Sequence, residues 1–263
     1  MQFTNKYIIL ALIILIIIII YYFAIPFIRH LILDQDTKKL YAALKESHIP
    51  WKVFAKSEQD RDIYLFEQGE GESTTLILAA MHGDEQNTFH LAVKLADTIY
   101  SKPELINNKV VIVPVVNPDG LLRNERINAN DVDINRNFPT ENWRPIYKKY
   151  KYNPGYEAGS EKETQAVMEL INLYQPDKLI VIHADLHVLN YDGPAKDLVL
   201  RMAEYNGYRV ESNIGYPTPG SLGTYAGVEG RIPTVTLELP DNSPEKAWEQ
   251  NFKAVIQAIN FSE

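Results

Sequence analysis

From Tyr7 to Ile25 every side chain is apolar or aromatic, the five consecutive isoleucines at 16–20 included, and Pro26, Phe27 and Ile28 carry the run on to Arg29. A hydrocarbon core of about 30 Å needs about 20 helical residues, and Tyr21 and Tyr22 sit near one end, where aromatic side chains favour the interface. The run therefore predicts one membrane-spanning helix that meets a lipid bilayer through residues 7–28. A cleaved signal peptide would have an apolar core of about 7–15 residues and small residues at its cleavage site, and neither pattern is present. Lys6 and the α-amine before the run nearly balance Arg29, Lys38 and Lys39 after it, so the positive-inside bias does not set the orientation. A short tail before a long apolar run favours export, which places the rest of the chain outside the cytoplasm. The organisation expected is an anchor over 1–30, a juxtamembrane helix and linker over 31–60, and one folded domain over 61–263.

The first thirty residues hold no acid and only two bases, which leaves 24 basic against 34 acidic residues in the remainder. An acidic body repels phosphate backbones, so nucleic-acid binding is excluded as its work. Cysteine is absent, and with it thiolate nucleophiles, disulfides and cysteine-ligated metal; histidine and carboxylates remain as the strong ligands.

Past a short helical pattern at Asp34–Ser47, apolar runs bounded by turn residues recur at Ile63–Phe66, Leu76–Ala80, Val110–Val116, Leu179–Ile182 and Thr234–Leu239. Helical periodicity separates them at about Asn87–Tyr100, Glu161–Tyr174, Ala195–Tyr205 and Pro244–Ile259. Alternating strands and helices predict an α/β domain with a largely parallel sheet. Residues 117–156 lack periodicity and are rich in Pro and Asn; loops of that length in compact domains are usually functional.

His82 and Glu85 follow the Leu76–Ala80 run where a strand feeds a helix, and in open α/β sheets ligands bind beyond the carboxyl ends of strands. Imidazole and carboxylate are competent zinc ligands, although the pair alone is a weak signal. The run Leu179–Ile182 ends in His183, a third candidate at the same sheet edge. Catalytic zinc takes three protein ligands and a water, and hydrolysis also needs a base. Glu238 fits that role, because an unpaired carboxylate between Leu237 and Leu239 is costly unless it is used. Arg126 and Arg136, ten residues apart in the polar loop, ask for anions: a guanidinium grips a carboxylate with two parallel hydrogen bonds and can stabilise an oxyanion.

His82-Gly83-Asp84-Glu85, Asn117-Pro118-Asp119-Gly120, Asp133 to Pro139, His183 and Thr236-Leu237-Glu238-Leu239 together resemble the zinc metallocarboxypeptidase (M14) family, in order and in spacing. Within it, Asp192-Gly193-Pro194 and Tyr216 to Tyr225 resemble the bacterial murein-peptide amidase branch, which cleaves γ-D-glutamyl-diaminopimelate bonds. The resemblance implies a mixed, largely parallel eight-stranded sheet with helices on both faces, here preceded by the membrane helix. It implies one Zn2+ per chain held by His82, Glu85 and His183. Glu238 matches the general acid/base that takes the water's proton and passes it to the leaving amine. Arg126 matches the group that polarises the scissile carbonyl, and Asn135 and Arg136 match the pair that clamps a terminal carboxylate. Asp133 matches the carboxylate that orients the first zinc histidine, and Tyr216 stands close to the position of the substrate-capping tyrosine. The partner implied is a peptide with a free carboxylate, including peptidoglycan fragments.

Two rival readings share these residues. One is zinc-dependent deacylation of N-acyl amino acids, as in the succinylglutamate desuccinylase and aspartoacylase relatives; the other is an inactive module that binds the wall. His187 and Asp185 read as pocket-lining residues, and His30, His48 and His90 as structural. Lys148-Lys149-Tyr150-Lys151-Tyr152 reads as a solvated basic loop with the capacity to meet an acidic polymer.

Overall fold

The computed structural model describes residues 2–213, 215–240 and 243–262. The chain divides into two compact units, residues 1–42 and 43–263. In the first, helix α1 (Gln2–Ile19) passes through a π-helical turn (Ile20–Ala24) into helix α2 (Ile25–Ala43). The expected single membrane-spanning helix is not found: among the described residues no helix is long and apolar enough to cross a membrane. The apolar run is shared out. Helix α1 begins on the mostly polar stretch Gln2-Phe3-Thr4-Asn5-Lys6 and ends at Ile19, the π turn takes the next five residues, and α2 runs on into the charged stretch from Asp34 to Lys39. The side chain of His30 lies outside the described residues.

In the second unit strand β1 (Lys52–Lys56) pairs antiparallel with β2 (Asp62–Gln68), so residues expected as linker supply a strand of the body. Strand β3 (Thr74–Leu78) leads to helix α3 (Gln86–Ser101), and strand β4 (Lys109–Val113) to the short helix α4 (Pro118–Arg123). After the polar loop come α5 (Lys162–Tyr174), β5 (Lys178–Asp192), α6 (Lys196–Asn206), β6 (Arg209–Glu211), β7 (Thr234–Pro240) and α7 (Pro244–Ile259). The sheet order is β1-β2-β4-β3-β5-β6, with β7 beside β5.

Among the described residues seven strands form the sheet where eight were expected, because β5 does the work of two. Its first arm pairs with β7 in rising register, from Leu179 opposite Thr234 to Ala184 opposite Leu239. After a bend near Asp185 the register falls, from Val188 opposite Glu238 to Asp192 opposite Thr234, so the second arm runs back along β7.

The central strands are apolar on both faces, which explains their unbroken Val/Ile/Leu runs. Ile77, Ile112, Ile180 and Leu237 point into a core shared with Leu91 and Leu95 of α3, Leu198 of α6 and Val255 of α7. Leu76, Leu78, Val111, Val113 and Val181 point the other way, against Ala166, Val167 and Leu170 of α5. Helices thus cover both faces, and parallel pairing of β3 with β5 (Leu78 opposite Val181) brings the residues beyond their carboxyl ends together.

Candidate active site

His82 lies four residues beyond β3 and His183 two residues beyond the Val181 rung of β5. Glu85, at the start of α3, sits between them: its Oε1 is 2.7 Å from Nδ1 of His82 and its Oε2 is 2.9 Å from Nδ1 of His183. The backbone N–H of Ala184 donates to the same Oε2 at 3.1 Å. All three side chains are buried, and one ligand atom from each lies within 4.8 Å of the others. The tight entry into α3 depends on Gly83, where a Cβ would fall 2.0 Å from the carbonyl carbon of Gly120 in α4; no side chain fits that approach.

Asp133 stands behind the cluster, fully buried and outside the cavity lining. Its Oδ1 is 3.0 Å from Nε2 of His82 and also accepts from the backbone N–H of Asn135, while its Oδ2 accepts from Nε of Arg126 at 3.0 Å. Burial works against charge on Glu85, yet the two histidines hold its carboxyl well below the usual range. Asp133 is likewise held low against its own burial, by Arg126 and His82. For His82, burial and Arg126 oppose protonation but the carboxylates of Glu85 and Asp133 outweigh them and raise its pKa. Two imidazoles and a carboxylate, closely spaced and with the outer nitrogen of one imidazole held by a carboxylate, fit a catalytic zinc site.

Glu238 faces the same cavity. It is 8% exposed, its Oε2 has no hydrogen-bond partner, and burial, with the Glu85 charge adding to it, pushes its pKa up. His82, Glu85, Arg126, Asn135, Arg136, His183, Tyr216 and Glu238 all line one cavity of about 290 Å3. Of the residues to which the resemblance gives a catalytic, metal or substrate role, only Asp133 is outside that lining. Tyr216 is half exposed, and burial raises its pKa, with Glu238 adding to the effect. Asn135 is already engaged: its Nδ2 lies 3.3 Å from Nε2 of His183, and its Oδ1 accepts from the N–H of Leu222. Arg136 is buried and spends one donor on the carbonyl of Asn135 at 2.6 Å, which leaves the rest of its fork for a ligand. Gly220, at φ +71°, brings the loop after Tyr216 against this segment; a Cβ there would lie 2.1 Å from the Arg136 carbonyl oxygen.

Asp185 lines the cavity as expected, but His187 does not: it sits at φ +54° with its ring edge-on to Tyr208 at 4.4 Å. His48 pairs with Asp97, and His90 lies against Phe89. Sequence reasoning read Lys151 and Tyr152 as part of a solvated basic loop, gave no role to Asn190 and quoted Asp192 only within a motif; all four line the cavity. No periodicity marks them, because loop 144–160 and the bend in β5 bring them in.

Residues 43–197 match the family model described as zinc carboxypeptidase, peptidase M14. Murein peptide amidase A of Escherichia coli strain K12 is 33% identical over 198 residues, which cover 71% of this chain and 79% of that protein. Murein peptide amidase A of Vibrio campbellii is 32% identical over 210 residues, 75% of this chain and 82% of the relative. The crystal structure of the murein-tripeptide amidase from E. coli O157 aligns with a TM-score of 0.68 at 28% identity, over 81% of this chain and 92% of that one. Carboxypeptidase A of Helicoverpa armigera shares the fold, with a TM-score of 0.68 at 19% identity over 86% and 70% of the two chains. By family model and by relatives, the chain belongs to the zinc carboxypeptidase family and is a metallopeptidase, a hydrolase.

Proposed function

We propose that this hydrolase cleaves an amide bond next to a free carboxylate in murein stem peptides, γ-D-glutamyl-diaminopimelate among them. The observation that carries the reading is one cavity in which a buried Glu238 carboxylate with one unpartnered oxygen faces the His82–Glu85–His183 cluster while Arg126 and Arg136 line the same space. Zinc at such a site supplies a Lewis acid that lowers the pKa of water to about 7 and polarises a carbonyl.

The chain's own groups divide the remaining work. Arg136 grips the substrate carboxylate, with Asn135 beside it and Tyr216 closing from the loop. Arg126, held by Asp133, meets the charge that develops on the scissile oxygen. Glu238 takes the proton from the attacking water at its free oxygen and delivers it to the leaving nitrogen. Asp192 supports the finer substrate class: among the described residues nothing pairs with its carboxylate, and burial alone raises its pKa. An ammonium group, such as diaminopimelate carries at the far end of its side chain, is the natural complement of that charge.

The likeness to murein peptide amidases supports the same choice over N-acyl amino acid deacylation. The test is a competition between L-alanyl-γ-D-glutamyl-diaminopimelate and N-acetylglutamate. Preferential release of diaminopimelate supports the reading, and preferential deacetylation sinks it. An extracytoplasmic catalytic unit is part of the proposal: cell fractionation should recover it with markers from outside the cytoplasm, and recovery with cytosolic markers alone would refute that placement.

A further inference from the structure

We propose that Tyr152 is a positioning residue whose ring holds the Arg126 and Arg136 guanidinium groups in place at the cavity wall. The inference rests on the reading of those two arginines as substrate-holding groups.

Cζ of Arg126 lies 5.4 Å from the Tyr152 ring centroid and Cζ of Arg136 lies 5.7 Å from it. Both are within the ~6 Å reach of a cation–π contact. The Lys151 ammonium is 5.3 Å from the same centroid, and Lys151, Tyr152 and both arginines line the cavity. One aromatic ring therefore meets three cations.

The need for such a ring follows from charge. Burial holds Arg136 below its ordinary pKa, and the Arg126 charge pushes in the same direction. Arg126 has Asp133 to fix it, through Nε and a terminal nitrogen, each 3.0 Å from Oδ2. The only side-chain hydrogen bond from Arg136 among the described residues is to the carbonyl of its neighbour Asn135, so a ring that attracts both cations is what fixes its direction.

The ring is itself anchored. Tyr152 lies in a short 3-10 turn, Tyr150–Tyr152, in which its N–H bonds to the Lys149 carbonyl at 2.9 Å. The next residue, Asn153, accepts from the backbone N–H of Asp133 at 2.8 Å and donates from Nδ2 to the Asp131 carbonyl at 2.9 Å. The turn is thus tied to the stretch that carries Asp133, Asn135 and Arg136.

The test uses full-length zinc-loaded protein, the tripeptide L-alanyl-γ-D-glutamyl-diaminopimelate, and the variants Tyr152→Leu and Tyr152→Phe. Tyr152→Leu should raise KM about five- to tenfold and lower kcat as well, the size expected of a partly desolvated cation–π contact, with zinc content and Tm unchanged. Tyr152→Phe keeps the ring face and should restore most of that loss. Wild-type kinetics in Tyr152→Leu, or equal damage in Tyr152→Phe, would overturn the proposal. A second readout does not depend on turnover: with 15N-arginine labelling, the Nε–H resonances of Arg126 and Arg136 should lose their ring-current shifts in Tyr152→Leu. If wild type cleaves no peptide, the functional reading falls by itself, and unchanged arginine resonances would then overturn the positioning role separately.

Discussion

Glu238 stands directly opposite His183 in the β5–β7 ladder. Neighbouring strands lie about 4.7–4.9 Å apart and residues in register project to the same face, so the sheet itself fixes the candidate base beside a candidate metal ligand. Leu237 and Leu239, in alternation, anchor β7 in the core, and the position of Glu238 therefore does not rest on a loop. Glu238→Gln keeps the shape and removes the base; kcat should fall about 10^2–10^4-fold while KM moves little. Steady-state kinetics on the wall tripeptide measures it, and a large change confined to KM would contradict the assignment.

Metal removal should abolish activity without unfolding the protein. Glu85 has partners of its own in His82, His183 and the Ala184 N–H, so no orphaned buried charge is left behind. Chelation should leave the far-UV circular dichroism intact, and one equivalent of zinc should restore turnover. Plasma emission spectrometry should find one zinc per chain in wild type and none in His183→Ala.

Asp133→Asn should weaken zinc affinity about 10–100-fold, the usual cost of losing a carboxylate behind a ligating histidine. A competition titration with a chromogenic chelator reads this directly. Unchanged affinity would mean that the 3.0 Å contact to His82 does not orient the ring.

Arg136→Ala should raise KM for a free-carboxylate peptide about ten- to hundredfold, the weight of one charge-assisted pair. The same peptide with its carboxylate amidated should bind wild type and variant alike. If the amidated peptide suffers equally from the substitution, Arg136 is not the carboxylate clamp.

Stability should vary with pH through Glu163. Burial pushes its carboxyl up to about 7, against hydrogen bonds from Asn128 and backbone that pull it down. A raised folded-state pKa means that the folded protein holds a proton the unfolded chain has released. The contribution is complete below the ordinary carboxylate range and is lost as pH rises to about 7. The difference is on the order of 3 kcal/mol. Thermal melts at pH 5 and pH 8 should show wild type losing more stability than Glu163→Gln; equal losses would show that Glu163 is ionised throughout.

Much of this architecture is legible in the residues. The runs at Leu76–Ala80 and Leu179–Ile182 read as strands because they are buried on both faces, and helices α3, α5, α6 and α7 lie close to their predicted spans. Strand β1 was hidden, since Lys52–Lys56 is a half-exposed edge strand with lysine at both ends. The fold-back of β5 was hidden for another reason: a bend near Asp185 depends on which neighbour the second arm finds, and no local pattern encodes that. The apolar run at the amino terminus was plain, but its division among two helices and a π turn is a matter of backbone geometry rather than composition. Tyr152 belongs to the same class of hidden feature, because its contact with two arginines exists only once the loop closes.

The most direct test digests purified muropeptides with the zinc-loaded full chain, compares Glu238→Gln, and follows products by mass spectrometry. The account predicts release of diaminopimelate, or of a fragment beginning with it, by wild type alone. Intact muropeptides with zinc bound, or equal cleavage by both proteins, would contradict it.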